Sequence, residues 1–318
     1  MSSDEVSVVL VGDGPTAESA LASLATSFRV VGVVRNVADP AAVLTDPVRR
    51  AAADLGVPAV DARTVQGVEQ YVAECNPDIV VVSSFARVLP AHLVERRPFI
   101  NVHYAPLPQY RGRANVNWAI INGETATAMT IHSIVPGLDA GPILVQTSVP
   151  IGGRDHVGDV YERLNQAQQA ALAGAVRRRL SGDLGDPQDE SRATYCCGRL
   201  PEDGRIDWAS STDTIDRLVR ATSHPYPGAF TYLGGERVVI DRAHPVENPR
   251  MFVGRVPGRP VAIDRRSGTV DVLTADGILR LEAVRVEGER RRPADVITSV
   301  QVTLDGRGLP GSRGGYGA

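Results

Sequence analysis

PFINVHYAPLPQYRGRANVNWAIINGETATAMTIHSIVPGLD, residues 98–139, begins as a buried strand, changes character at Asn101 and His103, and ends on Asp139 among small residues. A β-branched run, Ile79 to Val82, comes before it and is followed by Ser83, Ser84 and Phe85. Strands that end in polar groups and a Pro/Gly-rich loop are what an open α/β sheet sets at its ligand-binding edge. The pattern therefore predicts a site gathered at one sheet edge.

Towards the N-terminus, strand and helix signals alternate. Val6 to Val11 reads as a short apolar strand, Gly12-Asp13-Gly14 as a sharp turn, Thr16 to Leu24 as a helix and Val30 to Val34 as a second strand. The turn resembles half of a dinucleotide fingerprint, but a third glycine is missing and Pro15 stands where the helix begins. Arg35 and Asn36 stand where an oxidoreductase of this kind wants an acidic residue. Asp46 to Leu55, Val68 to Glu74 and Ala91 to Glu95 read as helices, Val57 to Val60, Ile79 to Val82 and Phe99 to Val102 as strands. This alternation predicts an α/β fold with a Rossmann-like, mostly parallel sheet covered on both faces.

Towards the C-terminus, Asn115 to Asn122 has helical spacing, with Trp118 and Ile121 set to face the sheet, and Ala128 to Ser133 and Ile143 to Val149 read as strands. Asp159 to Leu180 reads as a long amphipathic helix and Ser181 to Ser191 as a polar linker. Beyond Tyr195 come a helix at Ile215 to Thr222 and short strands at 230–232, 237–240, 261–263, 269–273, 278–283 and 297–304. Such strands, separated by Gly, Pro, Asp and Asn, predict a smaller, mainly-β, barrel-like (OB-like) second domain. The expected division is 1–185, a linker over 186–210, and 211–310, with Gly311 to Ala318 frayed.

The chain has 318 residues, 43% hydrophobic and 22% charged, with a formal net charge of -3. That balance fits a two-domain soluble protein and argues against a broad nucleic-acid surface. No apolar run reaches the roughly 18 residues a membrane helix needs, and no leader pattern is evident. Three cysteines, two of them the adjacent Cys196 and Cys197, cannot build a disulfide framework, so the cytoplasm is the expected compartment.

Asn101 and His103 are two apart on a strand, so their side chains share a face. With Asp139 they suit acyl transfer to an amine, in which a carbonyl oxygen must be held as it gains charge and protons must move. No serine or cysteine occupies a nucleophile elbow, so direct attack by the acceptor is the simpler route. A metal held by His103, His132 and Asp139 competes, without HExxH or a tight His/Cys cluster to support it, and no metal is expected. His132 itself reads as a structural histidine in mid-strand.

INVHYAPLPQYRG (residues 100–112) followed by GLDAGPIL (137–144) resembles the 10-formyltetrahydrofolate-dependent formyltransferases. That family includes methionyl-tRNA formyltransferase, the nucleotide-sugar N-formyltransferases and the formyltransferase domain of the bifunctional aminoarabinose-modifying enzyme. The likeness continues through Thr194 to Trp208 and His224 to Gly235, and is weakest beyond Pro245. It implies Asn101, His103 and Asp139 as the catalytic triad: Asn101 holds the formyl oxygen, His103 polarises it or stabilises the tetrahedral intermediate, and Asp139 orients the histidine and assists proton removal. The family's SLLP segment is Ala105-Pro106-Leu107-Pro108 here, a departure also compatible with members acting on sugars.

The resemblance further implies 10-formyltetrahydrofolate as formyl donor. The Ser84–Pro90 loop would receive the pterin, with Phe85, Ala86, Arg87, Leu89, Ile100, Val135, Gly137 and Leu138 around it. Tyr104, Arg111, Arg113 and Asn115 are the expected acceptor-side residues, arginine because its fork binds two oxygens of a phosphate or carboxylate. Trp208 and Tyr226 read as packing residues at the domain junction.

The acceptor expected is a small amine: a nucleotide-linked amino sugar, or an amino acid or N-hydroxyornithine. Transfer RNA needs a concentrated basic surface, and the sequence offers one short run, Arg290-Arg291-Arg292, read as a solvated turn. Methionyl-tRNA stands as the alternative acceptor. A catalytically inactive folate- or nucleotide-binding module is the alternative of another class. No membrane partner is expected, and a homodimer is left open.

Overall fold

The computed structural model describes residues 6–35, 46–85 and 87–305. Asn36, Ala86, Gly311 to Ala318 and much of the segment between Val33 and Val57 lie outside them. The described residues form two compact units. Of the described residues, those up to Asn115, Ala126–Pro150 and Val160–Cys197 make one, and Val116–Thr125, Ile151–Asp159 and those from Gly198 on make the other.

In the first unit, β1 (Ser7–Gly12), β2 (Arg29–Arg35), β3 (Ala59–Asp61), β4 (Ile79–Ser83) and β5 (Phe99–His103) form the parallel part of a seven-stranded sheet. The order is β3-β2-β1-β4-β5, with β7 (Ala126–Ser133) and β8 (Ile143–Pro150) added antiparallel beside β5, while the short β6 (Arg111–Gly112) pairs apart with Tyr195 and Cys196. β1 and β4 are buried along their whole length, as their unbroken apolar sequences require of strands covered on both faces. Gly12 has no room for a side chain, since a Cβ there would sit 1.8 Å from the Ser83 carbonyl oxygen.

Helices α1 (Gly14–Ala25), α2 (Pro47–Asp54), α3 (Val65–Cys75), α4 (Ala91–Val94) and α6 (Val157–Leu180) accompany the sheet. Pro15 opens α1, where a missing N–H costs nothing. Thr64 caps α3 through Gly67 N–H, and Asn76 ends it in the left-handed region. α3 packs Val68 and Val72 with Val9, Val11, Val80, Val82 and Phe99. α1 meets α6 through Ser19 and Ser23, whose hydroxyls donate to the Asn165 and Gln169 carbonyls.

The turn after β1 is filled by the protein's own charges. Arg35, 1% exposed, lies between Asp13, Asp46 and Asp61 at 3.2–3.4 Å, and Gly14 N–H donates to Asp46 Oδ2. A carboxylate thus stands at the helix start where a dinucleotide would place its phosphates.

The second unit is an antiparallel sheet ordered β10 (Ala229–Leu233), β11 (Glu236–Pro245), β14 (Ile278–Val286), β13 (Thr269–Leu273), β12 (Pro260–Asp264), with β15 (Glu289–Arg291) beside β14. Its core joins Val238, Ile240, Val270, Leu279 and Leu281 to Ile215 and Val219 of α7 (Thr212–Thr222). Trp208 belongs to this core, its Nε1–H donating to Thr231 Oγ1 at 3.0 Å.

Three sequence expectations are corrected. Residues 297–304 are not a strand: after α8 (Pro293–Val296) the chain runs irregularly, anchored by buried Ile297 and Leu304, and Leu304 N–H bonds the Gly258 carbonyl. Arg290 and Arg291 are not in a turn but on the edge strand β15. Helix α5 (Asn115–Ile121) buries Val116, Ala119 and Ile120 rather than Trp118 and Ile121. From Val116 onward it belongs to the second unit, where Asn117 Nδ2–H donates to the Ala221 carbonyl and Arg199 stacks 5.3 Å above the Trp118 ring.

Candidate active site

β5 pairs with β7 so that Asn101 lies opposite His132, and His103 opposite Thr130. Directly opposed residues of antiparallel strands project from one face, so all four side chains rise from the same side of the sheet. The site is therefore built on one sheet face at the carboxyl end of β5, where His103 closes the strand. Because β7 runs against β5, the chain leaving Ser133 starts from the far end of β5 and must return across that face to bring Asp139 to His103. Gly141 permits the return, since a Cβ there would lie 1.7 Å from the Ser133 carbonyl oxygen.

The hydrogen bonds fix each side chain. His132 Nδ1–H donates to the Ser133 carbonyl at 2.9 Å, which leaves Nε2 to accept from Asn101 Nδ2–H at 3.1 Å. Burial, and next the neighbouring His103, push the His132 imidazole down to about 4, with Asp139 opposing, so the ring is neutral near pH 7. His103 Nε2–H donates to the Tyr110 carbonyl at 3.0 Å, turning its Nδ1 towards Asp139 Oδ2 at 3.7 Å. Asp139 Oδ1 lies 3.8 Å from His132 Nε2, and Oδ2 accepts the Gly112 N–H at 2.9 Å. The carboxylate thus stands between two imidazoles, and among the described residues one N–H of Asn101 is left without an acceptor.

Asn101, His103 and Asp139 are brought together as expected of neighbours in a site. His132 was missed. Its alternation with Thr130 is visible in the sequence, but its partner Asn101 depends on the β5–β7 register, which is not.

The expected acceptor-side residues separate. Asn115 Nδ2–H donates to the same Tyr110 carbonyl that receives His103, so it supports the histidine. Tyr104 is buried with its hydroxyl donating to Asn165 Oδ1 at 2.7 Å, and burial pushes its phenol well above the ordinary value. Arg111, 1% exposed, has its fork filled by Glu190 (2.6 and 2.9 Å) and Gln188 (2.8 Å), so it is not an open phosphate or carboxylate binder. Arg113, two residues on, is exposed.

Of the expected folate residues, Phe85 is half-buried on the cluster that holds Leu89, and Arg87 is exposed. Ala86 lies outside the described residues. Ile100 is fully buried and, by strand alternation, projects from the face opposite Asn101 and His103, so it backs the site and does not line it. Among the described residues, the main-chain N–H groups of Val135, Gly137 and Leu138 have no acceptor, and Leu138 is 46% exposed. Unengaged backbone donors beside half-buried apolar side chains fit the flat, hydrogen-bonding edge of a pterin.

An open α/β sheet with an Asn and two His on one face, and an Asp brought over them by a loop, is suited to transfer of an acyl-type group. The comparisons name its kind. Residues 7–176 match the family model described as formyl transferase, and residues 200–300 match the formyl transferase C-terminal domain. The chain belongs to the formyl transferase family and is a formyl-transferring enzyme.

It is 32% identical over 314 residues to a methionyl-tRNA formyltransferase of Marinobacter nauticus, covering 95% of this chain and 99% of that protein. Among solved structures it resembles HypX from Aquifex aeolicus in complex with tetrahydrofolic acid (TM-score 0.64, 18% identity, 92% of this chain), spanning 47% of HypX. It also resembles WlaRD, a sugar 3N-formyl transferase, with TM-score 0.62 and 16% identity, covering 91% of this chain and 100% of that one. Among the described residues no helix is long and apolar enough to cross a membrane.

Proposed function

We propose that the chain transfers a formyl group from 10-formyltetrahydrofolate to the amine of a small acceptor, a nucleotide-linked amino sugar or an amino acid such as N-hydroxyornithine, in the cytoplasm. The donor is the one the family uses, and it supplies the activated one-carbon group. Asn101 holds the formyl oxygen through its second amide N–H while the first remains on His132. His103 Nδ1, directed outward by the Tyr110 carbonyl on Nε2, takes part in moving the proton lost by the attacking amine. Asp139 keeps that nitrogen oriented and offsets positive charge on the ring. The catalytic domain is taken to run on through Cys197, since Asp186 pairs with Ile143 and Gln188 bonds the Asp139 loop, and the β domain follows from Gly198.

The observation that carries the small acceptor is that the basic run Arg290-Arg291-Arg292 is partly neutralised by acids of its own chain, as are some other arginines of the second unit. Arg280 is matched by Asp271, Arg285 by Asp241 and Arg292 by Asp295, at 2.7–2.8 Å, and Arg291 by Glu289. A surface for a nucleic-acid backbone keeps its cations available to phosphate. The second reading, methionyl-tRNA as acceptor, is favoured by the Marinobacter relative, whose match covers 95% of this chain.

The test offers purified protein and 10-formyltetrahydrofolate to amino-sugar nucleotides, ornithine, N-hydroxyornithine and initiator methionyl-tRNA, reading folate absorbance and product mass. Transfer to a small amine, lost in Asp139→Ala, is the expected result. Turnover only with tRNA, weakening steeply between about 50 and 200 mM salt, overturns the acceptor.

A further inference from the structure

The segment between α6 and β9 (Tyr195–Cys196), expected to be a linker, is tied into the unit that carries the site. Asp186 exchanges two backbone hydrogen bonds with Ile143 at the start of β8, at 2.7 and 2.9 Å. Ser133 Oγ–H donates to the Leu184 carbonyl at 2.7 Å. These anchors set Gln188 against the loop that bears Asp139.

Gln188 Nε2 donates to two carbonyl oxygens, those of Asp139 and Gly141, each at 2.7 Å. Its Oε1 accepts from Arg111 Nη2 at 2.8 Å and Nε at 3.3 Å. The amide has one workable orientation: turned over, its oxygen would face two carbonyls and its NH₂ a guanidinium. Arg111 is in turn clamped by Glu190.

Asp139 needs such a hold. It is a non-glycine residue at φ +49, left-handed backbone that must be fixed by its surroundings. Its side chain is gripped by the N–H of Gly112, the residue after Arg111, and its main chain by Gln188, which Arg111 orients.

We propose that Gln188 is a positioning residue for formyl transfer, locking the Asp139 carboxylate between His103 and His132. The inference rests on the reading of Asp139 as a catalytic residue. Glutamine is specifically suited, because one side chain must give two hydrogens to carbonyls and receive a guanidinium at its other end.

The test compares Gln188→Glu, Gln188→Met and Asp139→Asn, and each Gln188 variant combined with Asp139→Asn, in the full chain. Activity is read with 10-formyltetrahydrofolate and whichever of N-hydroxyornithine, the amino-sugar nucleotide and methionyl-tRNA is formylated. Gln188→Glu keeps the volume and the Arg111 contact but loses both donors, so it carries the test if Gln188→Met does not fold.

A fall in kcat of about 10- to 100-fold is expected for both, with KM for the donor and Tm near wild type. Added to Asp139→Asn, either change should lower kcat no further. Wild-type kcat in both Gln188 variants beside a reduced kcat in Asp139→Asn overturns the role of Gln188 and leaves Asp139 standing. A rise in KM alone, or a loss of kcat in proportion to Tm, overturns it as well. Wild-type kcat in Asp139→Asn sinks the catalytic reading itself.

Discussion

Asn101 Nδ2 donates to His132 Nε2 across 3.1 Å, and that bond decides where the asparagine's remaining N–H points. His132→Leu should leave the ring's volume filled while freeing the Asn101 amide to rotate. We expect kcat to fall about 10- to 100-fold with little change in KM, because the donor must meet the oxygen best as charge develops on it. Steady-state kinetics of His132→Leu with a formylated acceptor check this, and unchanged kcat would show that Asn101 is oriented by something else.

The same imidazole makes stability depend on pH. Its folded value of about 4 lies below the ordinary 6.5, so between these limits the unfolded chain binds a proton that the folded chain does not. Stability is then fully present above about 6.5 and is lost as pH falls towards 4, by up to about 3 kcal/mol. Urea unfolding at pH 7.5 and pH 5 should show this loss in wild type and a smaller one in His132→Leu. Equal losses would place the acid sensitivity elsewhere.

What could be read from the sequence followed spacing along one strand; what could not followed pairing between strands. Asn101 and His103 share a face by period-2 alternation alone, and the apolar runs of β1 and β4 announce strands covered on both sides. The partnership of Asn101 with His132 requires the β5–β7 register, and the approach of Asp139 requires knowing that β7 is antiparallel. Gln188 sits in a polar, Pro- and Gly-bearing stretch whose composition resembles a linker; its two carbonyl partners lie 47 and 49 residues away. Arg111 shows a different limit. Guanidinium chemistry suits a phosphate, and only the fold reveals that Glu190 already fills the fork.

Asp13 works in the opposite sense to His132. Burial, and then the neighbouring Asp46, raise its carboxyl to about 7, so from about 4 to 7 the folded protein holds a proton that the unfolded chain has lost. This group's contribution to stability falls as pH rises through that window. Asp13→Asn keeps a neutral hydrogen-bonding group beside Asp46 and should raise Tm over wild type at pH 8, with the difference shrinking at pH 5. A Tm lower than wild type at pH 8 would mean that the Arg35 contact outweighs the repulsion.

The Arg111–Glu190 pair is asymmetric, the arginine 1% and the glutamate 64% exposed. Removing the acid leaves a buried cation with only neutral partners, whereas removing the arginine releases the acid to water. Glu190→Gln should therefore lower Tm, and adding Arg111→Met should recover part of the loss. Simple addition of the two losses in thermal melts of the single and double variants would show that the pair does not behave as a buried charge and its counter-ion.

Gly141 and Gly174 separate a glycine that the site requires from one it does not. A Cβ at Gly141 would stand 1.7 Å from the Ser133 carbonyl oxygen and 3.2 Å from His132 Nδ1, so Gly141→Ala must push the Asp139 loop off the sheet face. A cost of about 1–3 kcal/mol and a loss of most activity are expected, since backbone, not a flexible side-chain tip, is in the way. At Gly174, inside α6, a Cβ meets nothing within 4 Å. Gly174→Ala should gain about 0.5–1 kcal/mol from the lower entropy of the unfolded chain and leave kcat unchanged. Denaturant melts and kinetics on the two variants check both arms; an active, stable Gly141→Ala would mean that the loop reaches His103 along another path.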